Sequence, residues 1–270
     1  MFQRLQIDID AGIAQVQLTR ADKRNALDLT AFEELAGAAA QLGNDASVRA
    51  VVLSGQGPAF CAGIDIGLLA TPGDVQAILQ IHPGDEANAA QRAAWAWHRL
   101  PVPVIAAVHG SAFGAGLQLM SAADIRYVHP EAKLSVMELE YGIVPDMSGS
   151  QLWKAFVRAD VIKELAYTSR IFSGTEALAL GFATHVTDDP LAAALATARI
   201  IANKSPHAIR AAKRMFNAQL SDTVAQGLQR EADEQLALLF SPNQREAIAA
   251  KMEKRAPRFS DPEIRRAPND

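Results

Sequence analysis

The chain lacks most of what would make it a disulfide scaffold, a metalloprotein or a membrane protein. One cysteine, Cys61, stands alone among 270 residues. It has no internal partner, so no intrachain disulfide can form and a reducing compartment is expected. The six histidines show no metal-ligand spacing, so no metal is expected. No run of about 18 apolar residues is present, which argues against a transmembrane helix. Met1 to Asp10 alternates apolar and polar residues and carries Asp8 and Asp10, unlike a signal peptide. A block of one charge sign is also missing. The net charge is −4, whereas a nucleic-acid-binding protein usually carries a basic footprint. The composition therefore predicts a soluble, cytoplasmic protein with neither nucleic acid nor membrane as partner.

What is present is enough hydrophobic residue, 49%, for a sizeable core, and two glycine-containing segments placed after apolar strand-like runs. Gly57-Pro58-Ala59-Phe60-Cys61-Ala62-Gly63-Ile64-Asp65 follows Ala50 to Ser54. Gly110-Ser111-Ala112-Phe113-Gly114-Ala115-Gly116 follows Val104 to Val108. Glycine lets a backbone turn sharply and approach a ligand closely, and two such turns can aim two N–H groups at one point, as an oxyanion hole requires. Two ordinary strand-to-helix turns would read the same way. Neither segment is a dinucleotide fingerprint, which needs Gly-x-Gly-x-x-Gly, nor a Walker loop, which needs Gly-Lys-Ser/Thr.

Around these segments the pattern is α/β. Phe2–Ile9 and Ile13–Leu18 read as a hairpin across Ala11-Gly12. Thr30-Ala31-Phe32-Glu33 has the form of a capping box opening a helix to about Leu42. Thr71 to His98 reads as a loop and then a helix, broken at Pro83-Gly84. Ser148–Val157 reads as helical, and Ser173-Gly174-Thr175-Glu176 as a second capping box whose helix stops at Gly181. From Leu191 onward only helical periods occur, over 191–202, 206–218, 222–240 and 243–254. This predicts an α/β core over residues 1–190 and a helical region over 191–270. The charged, proline-containing tail from Arg255 is expected to be extended or partly disordered.

The ordered set of motifs resembles the crotonase superfamily, the enoyl-CoA hydratase/isomerase family. It comprises Phe60-Cys61-Ala62-Gly63-Ile64-Asp65, His109-Gly110 through Gly116, and Ala122-Ala123-Asp124-Ile125-Arg126. Thr19 to Leu27 resembles the family's amino-terminal CoA loop, Gly142-Ile143-Val144-Pro145-Asp146 its active-site turn, and Ser173 to Val186 a further signature. The likeness spans about residues 2–255. It implies a spiral of ββα units with a carboxy-terminal helical region used for a homotrimer or a dimer of trimers. The implied substrate is an acyl-CoA thioester, with coenzyme A as part of the substrate and no separate cofactor.

By position, the oxyanion donors fall on the N–H groups of Ile64 and Ala115. Of the family's two hydratase glutamates, the first position holds Gln118, an amide that cannot titrate but can orient a substrate or a water. The second holds Glu138, although Glu140 lies close by and a solvated loop acid is the plain alternative. Asp146 stands where double-bond isomerases of the family keep an aspartate, and a turn-forming role after Pro145 is its alternative. Lys23, Arg24, Ala62, Asp65, Ile66 and Lys254 occupy CoA-binding positions, Lys254 often reaching a neighbouring subunit. Ordinary surface charge would also account for the basic ones. Where the family often has a lysine after Asp65-Ile66, this chain has Gly67-Leu68-Leu69. Cys61 is expected to pack as a small side chain. Trp95 and Trp97 line the acyl pocket or pack in the core.

The implied reaction shifts a carbon–carbon double bond in an enoyl- or dienoyl-CoA, although dienoyl-CoA isomerases carry an acid where this chain has Gln118. The alternatives are an enoyl-CoA hydratase using Glu138 alone, and a non-catalytic relative that binds CoA esters or RNA.

Overall fold

A computed structural model describes residues 2–81 and 83–263. The chain opens with a hairpin of β1 (Leu5–Asp10) and β2 (Ile13–Leu18), turning at Ala11 and Gly12. Both turn residues have positive φ (47° and 78°), the geometry that matches the twist of a tight hairpin. Then come α1 (Leu29–Gly43), β3 (Ala50–Gly55), α2 (Ile66–Leu69), α3 (Pro72–Leu79), α4 (Ala89–Arg99), β4 (Val104–Val108), β5 (Ser111–Phe113) and α5 (Ala115–Ser121). The middle of the chain continues with β6 (Ile125–Val128), β7 (Lys133–Ser135), α6 (Gly149–Leu152), α7 (Ala159–Thr168), β8 (Phe172–Ser173), α8 (Gly174–Leu180) and β9 (His185–Val186). Four helices finish it: α9 (Pro190–Ala202), α10 (Pro206–Ala218), α11 (Val224–Leu238) and α12 (Pro242–Met252).

Six strands form one sheet in the order β1-β2-β3-β4-β6-β9, and three form another, β5-β7-β8. Only β1–β2 and β7–β8 are antiparallel. In the large sheet Val51 pairs with Val104 and Ile105 with Ile125. Both of its faces are covered, which explains why β3 and β4 are unbroken apolar runs rather than alternating ones. One face packs with Phe32, Leu35 and Trp97 of α1 and α4. The other receives Ala194, Ala198 and Ala202 of α9 against Ile13, Ala50, Val52, Ile105 and Ala107. Alanines at that spacing let the helix lie close on the strands. Lys213 of α10 is buried and reaches back into the core. Its Nζ donates to Asp124 Oδ2 (2.7 Å) and to the carbonyl of Val102 (3.0 Å).

Several elements differ from their sequence reading. α1 is capped by Asp28, whose Oδ1 accepts the Ala31 N–H at 3.0 Å, so Thr30 already lies inside the helix. Arg4 Nε donates to the other oxygen of Asp28. The segment 71–98 holds two helices, the first opened by Pro72 in its first turn and the second by a capping box of Asn88 and Gln91. The tail is extended but anchored through residue 263. Arg49 binds Asp261 Oδ1 (2.9 Å) and the Phe259 carbonyl (3.2 Å), and Asn243 exchanges hydrogen bonds with the Ser260 backbone. The rest of the tail, 264–270, lies outside the described residues.

Candidate active site

The two glycine segments meet side by side. Cys61 bridges Ala112 and Leu27 bridges Ile64 in parallel pairs. Gly63 has φ +100°, and a Cβ there would stand 2.8 Å from the Phe113 carbonyl. A Cβ on Gly116 would stand 2.3 Å from the Cys61 carbonyl. Only glycine allows both the left-handed turn and these backbone approaches. A third strip of chain locks the pair. Asn25 Nδ2 donates to the carbonyls of Gln56 (2.9 Å) and Ala59 (2.8 Å), and the Arg24 carbonyl accepts the Ala62 N–H.

This packing leaves two backbone donors unused. The Leu27–Ile64 bridge consumes the Gly63 carbonyl and the Asp65 N–H and leaves out the Ile64 N–H. Ala115 is the first residue of α5, where an N–H has no intrahelical acceptor. Among the described residues, neither N–H donates to a backbone carbonyl outside the regular elements. Both residues line one cavity of about 750 Å³.

Gln118, Glu138 and Asp146 line the same cavity, as do Lys23, Asp65 and Tyr141. Gln118, on α5, is nearly fully buried. Its Oε1 accepts the N–H groups of Met147 (2.8 Å) and Gly149 (3.0 Å). Those two donors fix the orientation of the amide, so Nε2 points the other way and donates to Glu138 Oε1 at 2.6 Å. One side chain thus holds both the glutamate and the turn that carries Asp146. Glu138 opens the 3-10 turn 138–141 and is only 6% exposed. Its Oε1 lies 3.3 Å from where a Cβ on Gly114 would stand, next to the Ala115 donor. Its Oε2 has no hydrogen-bond partner.

Burial pushes the Glu138 carboxyl above the ordinary glutamate range, and the neighbouring Asp146 adds to this while the Gln118 amide opposes it. Burial also raises Asp146. Two carboxyls held above their usual range in one apolar cavity are suited to taking and returning protons.

The remaining candidates fall into distinct places. Lys23, Ala62, Asp65 and Ile66 line the cavity. Asp65 is drawn down by Arg20, whose Nη1 lies 2.7 Å from Oδ2, while its Oδ1 caps α2 through the Gly67 N–H. Arg24 is exposed and is not part of the cavity wall, and Lys254 is exposed beyond α12. The Cys61 thiol is fully buried, pushed up to about 12 by that burial, and donates to the Asn25 carbonyl at 3.1 Å. It is a packed side chain and not a nucleophile. Trp97 is in the core. Trp95 stacks on His98 and lies outside the cavity wall. The apolar wall comes instead from Leu69, Val75, Ile78 and Leu79 on one side and Ile143 and Val144 on the other. The helix that supplies Val75, Ile78 and Leu79 stands where the sequence reads as a loop. Pro72 after Thr71 was the available signal, since proline suits a first helical turn.

The enoyl-CoA hydratase/isomerase family model matches residues 8–262. The chain belongs to that family. It is 34% identical over 260 residues to the peroxisomal Delta(3,5)-Delta(2,4)-dienoyl-CoA isomerase of Arabidopsis thaliana, covering 93% of this chain and 94% of that one. It is 31% identical to a probable enoyl-CoA hydratase of Mycobacterium bovis, covering 96% and 98%. Among solved structures it superposes on the enoyl-CoA hydratase of Bacillus anthracis with a TM-score of 0.86 at 28% identity, covering 95% and 99%. The expected α/β fold with carboxy-terminal helices is the fold of this family, and the protein is an acyl-CoA-processing enzyme of the hydratase/isomerase type. No helix among the described residues is long and apolar enough to cross a membrane. The relatives include peroxisomal and mitochondrial forms, so the family does not assign the expected cytoplasmic location.

The Gln118 network makes a testable claim of its own. Gln118→Leu leaves the Met147 and Gly149 N–H groups buried without acceptors, at about 1–3 kcal/mol each. Urea unfolding is expected to show a loss of that order, with Gln118→Glu, which keeps both acceptor bonds, losing less at low pH, where its carboxyl is protonated and can donate to Glu138, and more as pH rises.

Proposed function

We propose that the enzyme shifts a carbon–carbon double bond in an enoyl- or dienoyl-CoA thioester. The thioester oxygen is held by the Ile64 and Ala115 N–H groups. Glu138, beside the Ala115 donor, removes a proton from the carbon next to the thioester. The electron pair passes onto the oxygen as an enolate, which the two donors stabilise. As the pair returns, the double bond re-forms beside the carbonyl and Asp146 delivers a proton to the far carbon. The working enzyme holds one proton on the Glu138–Asp146 pair.

The observation that carries this reading is the state of Gln118. Its carbonyl is occupied by two backbone N–H groups and its amide by Glu138. It presents no second carboxylate to a water beside Glu138, as a two-glutamate hydratase would. Apart from Asp65, which is paired with Arg20, the cavity holds two carboxyls, Glu138 and Asp146, which suits proton removal at one carbon and return at another.

The CoA moiety enters past Lys23 and the backbone of Ala62, Asp65 and Ile66. Lys254 contributes from a neighbouring subunit of a homotrimer or a dimer of trimers. The supporting surface is on α11 and α12 and the turn between them, where Val224, Leu228, Leu236, Phe240 and Met252 are each more than 60% exposed. Light scattering is expected to give three or six chains per particle, and a monomer at micromolar concentration would remove this part of the reading.

Asp146→Asn tests the two-carboxylate assignment. Isomerisation of 3-enoyl- and 3,5-dienoyl-CoA esters is expected to fall roughly a hundredfold or more, with KM little changed. Full activity in this variant would reduce Asp146 to a turn former. Binding of the same esters without any turnover by the wild type would favour a non-catalytic relative.

A further inference from the structure

Asp146 stands between two cavities. Besides the main one, it lines a second cavity of about 460 Å³ together with Glu86, Gln91, Ser148, Ser150 and Gln151. Ala87, Trp95 and Pro145 complete a mixed wall, and Glu86, Ser150 and Gln151 are exposed, so this cavity opens to the surface. A space of that size with polar side chains in its wall holds a file of waters, each needing about 30 Å³ and a few polar partners. Glu138 has no such second face. It lines the main cavity, is 6% exposed, and has its Oε1 closed off by Gln118. A thioester seated in the main cavity covers Glu138 and leaves the back of Asp146 wet.

We propose that Asp146 exchanges its proton with bulk water through this second cavity while the thioester is bound, so that the two ends of the double-bond shift draw on separate proton pools. The inference rests on the two-carboxylate reading above. Its proton account closes. Glu138 takes one proton as a carbon–hydrogen bond breaks next to the thioester, and Asp146 gives one up as a carbon–hydrogen bond forms at the far carbon. Asp146 is then recharged from water in the second cavity before release. Glu138 loses its proton to solvent only after the product has left. No oxidant, reductant or further reactant is needed.

The test runs the reaction backwards in D2O, starting from the conjugated enoyl- or dienoyl-CoA. In the reverse direction the far-carbon proton passes to Asp146. If Asp146 exchanges while the ligand stays bound, re-formation of the starting thioester carries deuterium at that carbon. NMR or mass spectrometry of the unconverted thioester is expected to show deuterium at the far carbon running several-fold ahead of the appearance of the shifted isomer. Ser150→Trp and, separately, Gln151→Trp fill the second cavity from exposed positions of α6. Each is expected to bring exchange down to the level of conversion, with KM for the thioester unchanged.

Conversion without advance exchange in the wild type overturns the proposal and leaves the isomerase reading standing. Advance exchange that both tryptophan variants leave untouched also overturns it, because the proton then travels by the main cavity. A protein that neither converts nor exchanges these thioesters overturns the isomerase reading, and this inference falls with it.

Discussion

Glu138→Gln is expected to lower kcat for double-bond isomerisation by roughly a hundredfold to ten-thousandfold, the range over which a positioned general base contributes. The loss falls on kcat rather than KM, because the new side chain keeps the shape of the old one. Its amide oxygen can still accept from Gln118 Nε2, so the turn carrying Asp146 is not released. The same substitution is expected to raise stability at neutral and higher pH. Wild-type Glu138 has a folded-state pKa raised by burial, so the folded chain holds that proton more tightly than the unfolded one. Stability contributed in this way is present below the ordinary glutamate range and is lost as pH rises through the raised folded value. A glutamine does not titrate and loses nothing over that window. Thermal melting measured across pH should therefore show the variant melting above wild type at high pH and converging with it at low pH. If the two curves run parallel throughout, burial does not raise the Glu138 carboxyl as described above.

The second large effect is expected at a backbone atom. Ala115→Pro removes one of the two proposed oxyanion donors without removing a side chain that does any chemistry. Position 115 is the first residue of α5, where proline is tolerated because the lost N–H has no intrahelical acceptor. Glycine precedes it, which relieves the restriction proline places on its neighbour. The expected result is a fall in kcat of roughly a hundredfold to a thousandfold, the usual cost of one such donor. Melting should stay close to wild type. Activity within a few-fold of wild type in a folded Ala115→Pro protein would show that the Ala115 N–H does not face the thioester oxygen.

These two predictions draw on different kinds of legibility. The oxyanion segments stand out in the sequence because their requirement is local. A positive φ at Gly63 and a backbone contact at Gly116 each demand glycine at that position, and the family motif fixes the order around them. Helices α8 to α12 were equally readable, because their caps and proline starts lie within a few residues of what they control. The role of Gln118 was not readable in this way. As an isolated residue it is an amide in place of an acid. Its meaning comes from Met147 and Gly149, about 30 positions later, which return to it only because the 138–149 segment folds back over α5. The apolar wall is hidden in the sequence for a related reason. α3 is short and its apolar residues are few, so its period competes poorly with the loop signals on either side. Lys213 reads as one more surface lysine until the packing of α10 buries it against Asp124. The second cavity depends on α4 and α6 meeting beside Pro145, which no local pattern announces.

On the proposed mechanism Glu138 and Asp146 relocate a double bond and add nothing to the substrate. Mass spectrometry of the product formed from a 3-enoyl- or 3,5-dienoyl-CoA, read alongside the product from crotonyl-CoA, tests this most directly. The account predicts a conjugated product of unchanged mass from the first and negligible turnover of the second. Rapid conversion of crotonyl-CoA to a product heavier by one water, with no isomerisation of the unconjugated esters, would contradict it.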